Sequence, residues 1–399
     1  MFKKSNKIIN YLKEFSIPLI SGVIIALIWA NMSDESYRRV IEDNIIGSIS
    51  FHFLINEIFM VFFFAIATVE IKQSLLPGGY LNPIKRVINP ILSTFGGVIG
   101  PAVIYVVLNH FIGSSQYING WGIPTATDIA LAWLAARAIF GSDHPAVSFL
   151  LLIAIIDDGI GLIIIALFYP DPANPVSAAW LLLTLAAMML SWAMNKKKIT
   201  SYWPYILICG SLSWTGLYLS HIHAALALVF IIPFLPHKKK EPYKLFEGQV
   251  LPTSALEKFE KEFSTFVDMG LFLFGLTNAG VLISGVNNLT WIVFMSLLIG
   301  KTGGIFTMSY VAMLMGFPLP KGMNKKELFT AGIIASMGLT VALFLAGSAF
   351  TDIDMQGSAK MGALFSAGAF VVAFIVSKAL RLKKTIKQKN KEPALEIIK

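Results

Sequence analysis

From Ala146 to Phe168 the chain is apolar for long enough to cross the roughly 30 Å hydrocarbon core of a bilayer, yet two adjacent carboxylates, Asp157 and Asp158, stand near the middle of the run. Backbone at that depth has no water to bond to, so an isolated apolar run of this length folds as a helix. A charge there costs roughly 2.5–3.5 kcal/mol even on a lenient insertion scale. Two in succession constrain both the fold and the use of the chain.

The surrounding sequence has the same character. Of 399 residues, 56% are hydrophobic and 14% charged, against about 25% charged in soluble domains. About twelve windows of span length can be placed: Phe15 to Met32, Leu54 to Leu76, Ile88 to Leu108, Trp121 to Phe140, Ala146 to Phe168, Ala178 to Met194, Tyr202 to Leu219, His221 to Leu235, Phe266 to Ser284, Thr290 to Met315, Phe329 to Phe350 and Gly357 to Ala379. The chain is expected to be a single all-α, polytopic membrane domain over residues 1–399. The net charge of +9 comes from basic clusters that flank these windows. That distribution suits topology signals and not a nucleic-acid face. With a cytoplasmic N-terminus, Lys85 with Arg86, the lysines from Lys196 and from Lys238, Lys321 with Lys325 and Lys326, and the basic tail 382–399 all fall inside, as does segment 1–14. Both termini are therefore expected in the cytoplasm. No cleaved signal precedes the first window, and Cys209 reads as a packing residue.

Two windows are interrupted. The fourth opens Gly120-Trp121-Gly122-Ile123-Pro124-Thr125-Ala126-Thr127-Asp128, where Pro124 removes a backbone donor and clashes with the preceding turn. The eleventh carries Ser336, Gly338 and Thr340 at its centre. Irregular backbone at membrane depth is tolerated where protein or a wet cavity satisfies it. Paired interruptions in two halves of a chain mark the binding site of an inverted-repeat transporter. Spans 3–5 and 10–12 are the candidate repeats, and spans 4 and 11 the broken crossing helices.

The ionisable residues that this reading weighs within the windows are Glu57, Glu70, Asp128, Asp157, Asp158, Asp268 and Lys301. Lys301 is the one cation this reading finds among them, and one cation cannot neutralise Asp128, Asp157 and Asp158. The surplus calls for a proton or a metal ion. Neighbours on a helix point about 100° apart. One of Asp157 and Asp158 therefore faces a cavity shared with Asp128 while the other turns towards a neighbouring helix and Lys301. Carboxylate, hydroxyl and carbonyl oxygens suit a hard cation such as Na⁺; Asp157, Asp158, Asp128, Thr127 and the freed carbonyls of the fourth span supply them. Protons and sodium then compete for one set of oxygens. No cofactor is called for. Glu57, Glu70 and His223 are the candidates for pH response, with helix-end or packing roles equally open to His221 and His223.

Four stretches carry a resemblance: Gly122-Ile123-Pro124-Thr125-Ala126-Thr127-Asp128-Ile129-Ala130, Ala154-Ile155-Ile156-Asp157-Asp158, Asn278-Ala279-Gly280-Val281 and Leu298-Ile299-Gly300-Lys301. Together they resemble the NhaA-type bacterial sodium/proton antiporters, over nearly the whole chain. The resemblance implies that Asp157 and Asp158 bind the exchanged ion, that Thr127 and Asp128 sit where two unwound segments cross, and that Lys301 pairs with Asp157. It further implies electrogenic exchange of Na⁺ or Li⁺ for protons, serving sodium extrusion and pH homeostasis at the bacterial inner membrane, and a homodimer joined through the 33–50 stretch. The sequence departs from the family where members respond to pH. Gln73 and Ser74 stand where an Arg and a Glu are usual, and Glu257-Lys258-Phe259-Glu260-Lys261-Glu262 replaces a Glu-His pattern.

Two other uses of membrane aspartates fit less well. An intramembrane aspartyl protease needs Gly-x-Gly-Asp on separate helices, and here Asp157-Asp158 precedes Gly159-Ile160-Gly161; a prenyltransferase needs spaced acidic pairs, which are missing after Asp158. A non-transporting pH or ion sensor on the same scaffold is the nearer alternative.

Overall fold

The computed structural model describes residues 16–47, 49–77, 79, 81, 87–170, 175–237, 254–382 and 384. The expected segment 1–14, nearly all of the tail 382–399, Lys85, Arg86 and the lysines from Lys238 lie outside these residues.

Helices α1 (Ile17–Met32) and α2 (Asp34–Glu42) lead into a short antiparallel pair, β1 (Asn44–Ile46) and β2 (Ile49–Ser50). Then follow α3 (Phe51–Leu75) and α4 (Ile88–Ile112). A 3₁₀ half-helix (Ser115–Thr125) and α5 (Ile129–Phe140) form the first broken pair, bent by 56°. The chain continues through α6 (Pro145–Phe168), α7 (Ala178–Lys196), α8 (Tyr205–Leu219), α9 (Ala255–Asn278) and α10 (Asn288–Leu314). A second pair, α11 (Lys325–Ala335) and α12 (Thr340–Ala349), is bent by 49°, and α13 (Ile353–Ala379) closes the described chain. Among the described residues six helices are long and apolar enough to cross a membrane, or eight if each bent pair is one span. The shorter α1 and α8 are also apolar.

Local sequence explains where many of these begin. Pro145 starts α6 where a missing N–H costs nothing, and His144 Nδ1 accepts from Ala146 N (3.1 Å). Reciprocal capping boxes open α9 (Ser254 with Glu257), α10 (Asn287 with Thr290) and α11 (Asn324 with Glu327).

Two expectations need correction. The window His221 to Leu235 is not an α-helix: it holds two 3₁₀ turns, Ala224–Leu226 and Ile232–Phe234, joined by further turns. Pro233 has no N–H to continue a helix, and side chains take the carbonyls that a helix would have used. Lys72 Nζ donates to Leu235 O (2.6 Å), Asn195 to Phe234 O (2.5 Å) and Ser213 to Ala227 O (3.0 Å). The segment is buried in protein, where irregular backbone is tolerated. The second correction concerns the ninth window. Its helix starts at Ala255 and not at Phe266, because the Ser254 capping box adds an amphipathic charged lead, and it stops at Asn278.

Glycines set the closest helix contact. Gly96 and Gly100 of α4 face Gly300 and Gly304 of α10. A Cβ on Gly96 would stand 2.1 Å from the Gly304 carbonyl oxygen, and one on Gly304 would stand 1.9 Å from that of Gly96. Only glycine permits this approach. It fixes the rotation of α10 and turns Lys301 inward.

Candidate functional site

The two broken spans cross at their unwound centres and are bonded there. Asp128 N donates to Met337 O (2.7 Å), and the Thr127 hydroxyl donates to Ala335 O (2.9 Å). Gly338 lies against Ala126, whose carbonyl oxygen would be 2.4 Å from an added Cβ. From α13, the Ser366 hydroxyl accepts from Gly338 N (3.2 Å) and lies 3.3 Å from Gly338 O, so it serves the backbone freed by the second break.

Asp128 is the N-cap of α5. Its Oδ1 accepts from Leu131 N (3.1 Å), while Oδ2 accepts from Thr340 N (3.3 Å) and from the Thr340 hydroxyl (2.5 Å). One carboxylate thus sits between the N-termini of α5 and α12, where backbone N–H groups concentrate positive potential. At the opposite pole, the Lys301 ammonium donates to Thr125 O, at the C-terminal end of the 3₁₀ half-helix, and to Asp157 Oδ2 (2.9 Å). Three of the four half-helix ends at the crossing thus face a side chain of the opposite sign, and the fourth, the C-terminal end of α11, meets the Thr127 hydroxyl.

The structure decides which aspartate turns to Lys301. Asp157 does, with 2% of its surface exposed against 0% for the lysine. The second Asp157 oxygen, Oδ1, is buried without a hydrogen-bond partner, and Thr127 lies beside this carboxylate. Asp158 is half-buried and makes no hydrogen bond or ion pair among the described residues. The negative charges that act on it are Asp157, Glu70 and Asp128, with Lys301 as the opposing cation. Among the described residues no three His, Cys, Asp or Glu side chains converge on one metal position. The sequence-based ligand set therefore divides: Asp157 and Asp158 have open oxygens, the Thr127 hydroxyl gives its hydrogen to Ala335 O and keeps its oxygen lone pairs, and Asp128 is committed to the crossing.

The pH-response candidates also divide. His223 Nδ1 lies 3.2 Å from Glu57 Oε1, and Ala225 N donates to Glu57 Oε2 (3.3 Å). Glu70 stands about 20 Å further along α3 at 1.5 Å per residue, near Glu260 and Asp268 of α9. The two departures noted above meet there, since the Gln73 amide donates to Glu260. His221 takes a left-handed backbone (φ 59°) at the turn after α8.

Sequence reasoning placed Thr340 and the fourth-span carbonyls at the predicted breaks without assigning Thr340 to Asp128 or the Thr125 carbonyl to Lys301, and it missed Ser366 of α13. It also took Lys301 as the only intramembrane cation. Lys360, 8% exposed in α13, is a second, and Lys72 is a third within α3. Neither belongs to the aspartate site: Lys72 holds the 224–235 segment, and Lys360 is taken up below.

Discontinuous helices that cross at membrane depth, with a carboxylate pair and one buried amine at the crossing, define an ion-coupled secondary transporter. The chain belongs to the Na⁺/H⁺ antiporter 1 family, whose model matches residues 6–378. It is 62% identical to the Na⁺/H⁺ antiporter NhaA of Desulfitobacterium hafniense (strain DCB-2) over 378 residues, covering 95% of this chain and 97% of that one. It is 56% identical to the NhaA of Geobacter sulfurreducens, covering 95% and 99%. Its fold is similar to the solved structure of the sodium proton antiporter MjNhaP1 from Methanocaldococcus jannaschii, with a TM-score of 0.54 at 14% identity and 94% of each chain covered.

Proposed function

We propose that this chain exchanges Na⁺, or Li⁺, for protons across a bacterial inner membrane, with both ions competing for Asp157 and Asp158. The observation that carries this reading is the open coordination of the pair: among the described residues Asp157 Oδ1 has no hydrogen-bond donor, and Asp158 has no hydrogen bond or ion pair. A hard cation entering here gathers oxygens from both carboxylates, from Thr127 and from carbonyls at the breaks. Asp128 contributes charge and not an oxygen, because its two oxygens already accept three hydrogen bonds. Lys301 balances Asp157 when the cation is gone. The cation displaces the Lys301 ammonium from Asp157 with loss of its proton; on cation release Lys301 regains that proton and Asp158 takes another, so more than one proton returns per cation and exchange is electrogenic.

The broken spans are bonded to each other at their crossing and move as one body. Alternating access follows when that body, with α6 attached, rocks against the rest of the chain. The inverted halves are spans 3–5 and 10–12, both termini lie in the cytoplasm, and a homodimer forms through residues 33–50, where β1 and β2 leave exposed edges. Sodium extrusion and pH homeostasis are the physiological outcome.

The test uses proteoliposomes loaded with a pH-sensitive dye. Added Na⁺ should drive proton movement, and Asp157→Asn and Asp158→Asn should each abolish it. Exchange at the wild-type rate in either variant refutes the assignment. A sensor on the same scaffold would give no exchange in the unmodified chain.

A further inference from the structure

Away from the aspartates, a cavity of about 630 Å³ lies between α2, the connection that follows α9 and the first turns of α13. This is the face that the charge distribution of the loops places outside the cell. Six ionisable side chains line the cavity: Tyr37, Arg38, Glu42, His52, Asp354 and Lys360. They are sorted by depth. Glu42 and Asp354 are exposed, Arg38 and His52 are half-buried, and Lys360 is buried. Lys360 forms the floor, Arg38 and His52 lie at intermediate depth, and the acids stand at the rim.

Lys360 has no hydrogen bond or ion pair among the described residues. An ammonium group carries three donors; here none is used within the described protein, and the nitrogen opens onto the cavity, so whatever fills the cavity must satisfy it. Glu42 acts on it only through space. Arg38 donates its Nε to Asp34 Oδ2 (2.8 Å), which leaves its terminal nitrogens unbonded and holds the fork in one orientation. His52 is fixed as well. The Asn56 amide nitrogen points at its Nε2 (2.8 Å), and Asn56 exchanges hydrogen bonds with Asn278 (3.0 and 3.4 Å). The ring therefore accepts at Nε2 and keeps an N–H at Nδ1. The Tyr37 hydroxyl is spent on Leu276 O and Thr277 O (2.8 and 3.1 Å). The cavity thus offers the three unused donors of Lys360 at its floor and the terminal nitrogens of Arg38, whose charge is paired with Asp34, at its mouth.

We propose that this cavity binds a phosphate-type oxyanion, with the Lys360 ammonium at its floor and the Arg38 guanidinium at its mouth. A planar guanidinium fork and a point-charge ammonium are a matched pair for such a group. A cation is disfavoured at the floor, because it would settle against the Lys360 ammonium. The site does not depend on the exchange chemistry at Asp157 and Asp158. Two sources share this chemistry: inorganic phosphate from solution and the headgroup phosphate of a bilayer lipid.

The test titrates the purified full-length protein in detergent with potassium phosphate at constant ionic strength, and separately with short-chain phosphatidylglycerol in mixed micelles. Binding is read from the thermal midpoint followed by tryptophan fluorescence. Saturable stabilisation by either probe is expected, and the probe that works identifies the source. Lys360→Met should weaken that probe's affinity by roughly thirtyfold or more, as expected for loss of one partner of a buried charge pair. Arg38→Gln, at the more exposed mouth, should weaken it several-fold and serves as the deciding variant if Lys360→Met does not fold. Stabilisation by neither probe, the same stabilisation by chloride, or unchanged affinity in the variants overturns the proposal and leaves a water-filled cavity.

Discussion

Replacing Lys301 by methionine keeps most of the side-chain volume and removes only the charge and its donors. The structure sets the size of the effect. Lys301 is fully buried, its ammonium holds Asp157 at 2.9 Å, and it also holds the Thr125 carbonyl. Breaking a buried pair from one side costs about 3–5 kcal/mol, because the remaining charge is left uncompensated. For a chain of this length that corresponds to a fall of about 4 °C or more in thermal midpoint. Removing the stranded charge as well should recover most of the loss. The Lys301→Met, Asp157→Asn double variant is expected to unfold near the wild-type temperature, so the coupling energy between the two sites is at least as large as the loss of about 3–5 kcal/mol that the single Lys301→Met change causes. The assay is thermal unfolding of the detergent-purified protein by tryptophan fluorescence for all four members of the cycle. A wild-type midpoint in Lys301→Met, or strictly additive single effects, would refute the claim that this pair carries the charge balance of the crossing.

Other consequences can be checked in the same preparation. Gly304→Ala places a Cβ 1.9 Å from the Gly96 carbonyl oxygen, whereas Gly303→Ala meets nothing within 4 Å. The first should lower the midpoint by separating α4 from α10, at a cost of about 1–3 kcal/mol, and the second should leave it unchanged; equal midpoints would count against the glycine seam. Gln73→Ala breaks the bond to Glu260 that joins the two departures from the family pattern. It should shift the pH dependence of exchange in everted vesicles relative to the unmodified chain, and superimposable profiles would remove this contact from the pH response. Burial holds the Tyr37 phenol above its ordinary value of 10.0. The folded state then keeps a proton that the unfolded chain releases, so stability contributed here is present below about pH 10 and is lost as the pH rises beyond it. Tyr37→Phe should be less stable at neutral pH, through loss of the donor to Leu276 O and Thr277 O, and should show a shallower decline on the alkaline side. A decline as steep as that of the unmodified chain would rule out this source.

Much of the site was legible along the chain because its signals are local. A run of apolar residues states its own length, Pro124 and Gly338 state where a helix gives way, and capping residues such as Ser254 and Asn324 state where one begins. Each depends on a few neighbouring residues and on backbone chemistry. The segment 221–235 shows the limit of such reasoning. Its composition suits a span, but donors from Lys72, Asn195 and Ser213, all distant in sequence, support a different backbone there. Lys360 shows the same limit. It lies within the twelfth window, where hydropathy assigns it no role, and only the packing of α2 and α9 against the start of α13 makes it a buried amine beside a cavity.

The sequence by itself determined that two carboxylates cross the membrane on one helix, that two spans break, and that the acids outnumber the cation beside them. Only the tertiary structure decided that Asp157 and not Asp158 meets Lys301, 144 residues further on, and that Asp128 is committed to the N-termini of two half-helices. The reason is rotational. A sequence specifies which residues a helix carries, but the direction each one faces depends on how that helix is turned against its neighbours. Here the contact of Gly96 and Gly100 with Gly300 and Gly304 sets that angle, and with it the partner of each charge.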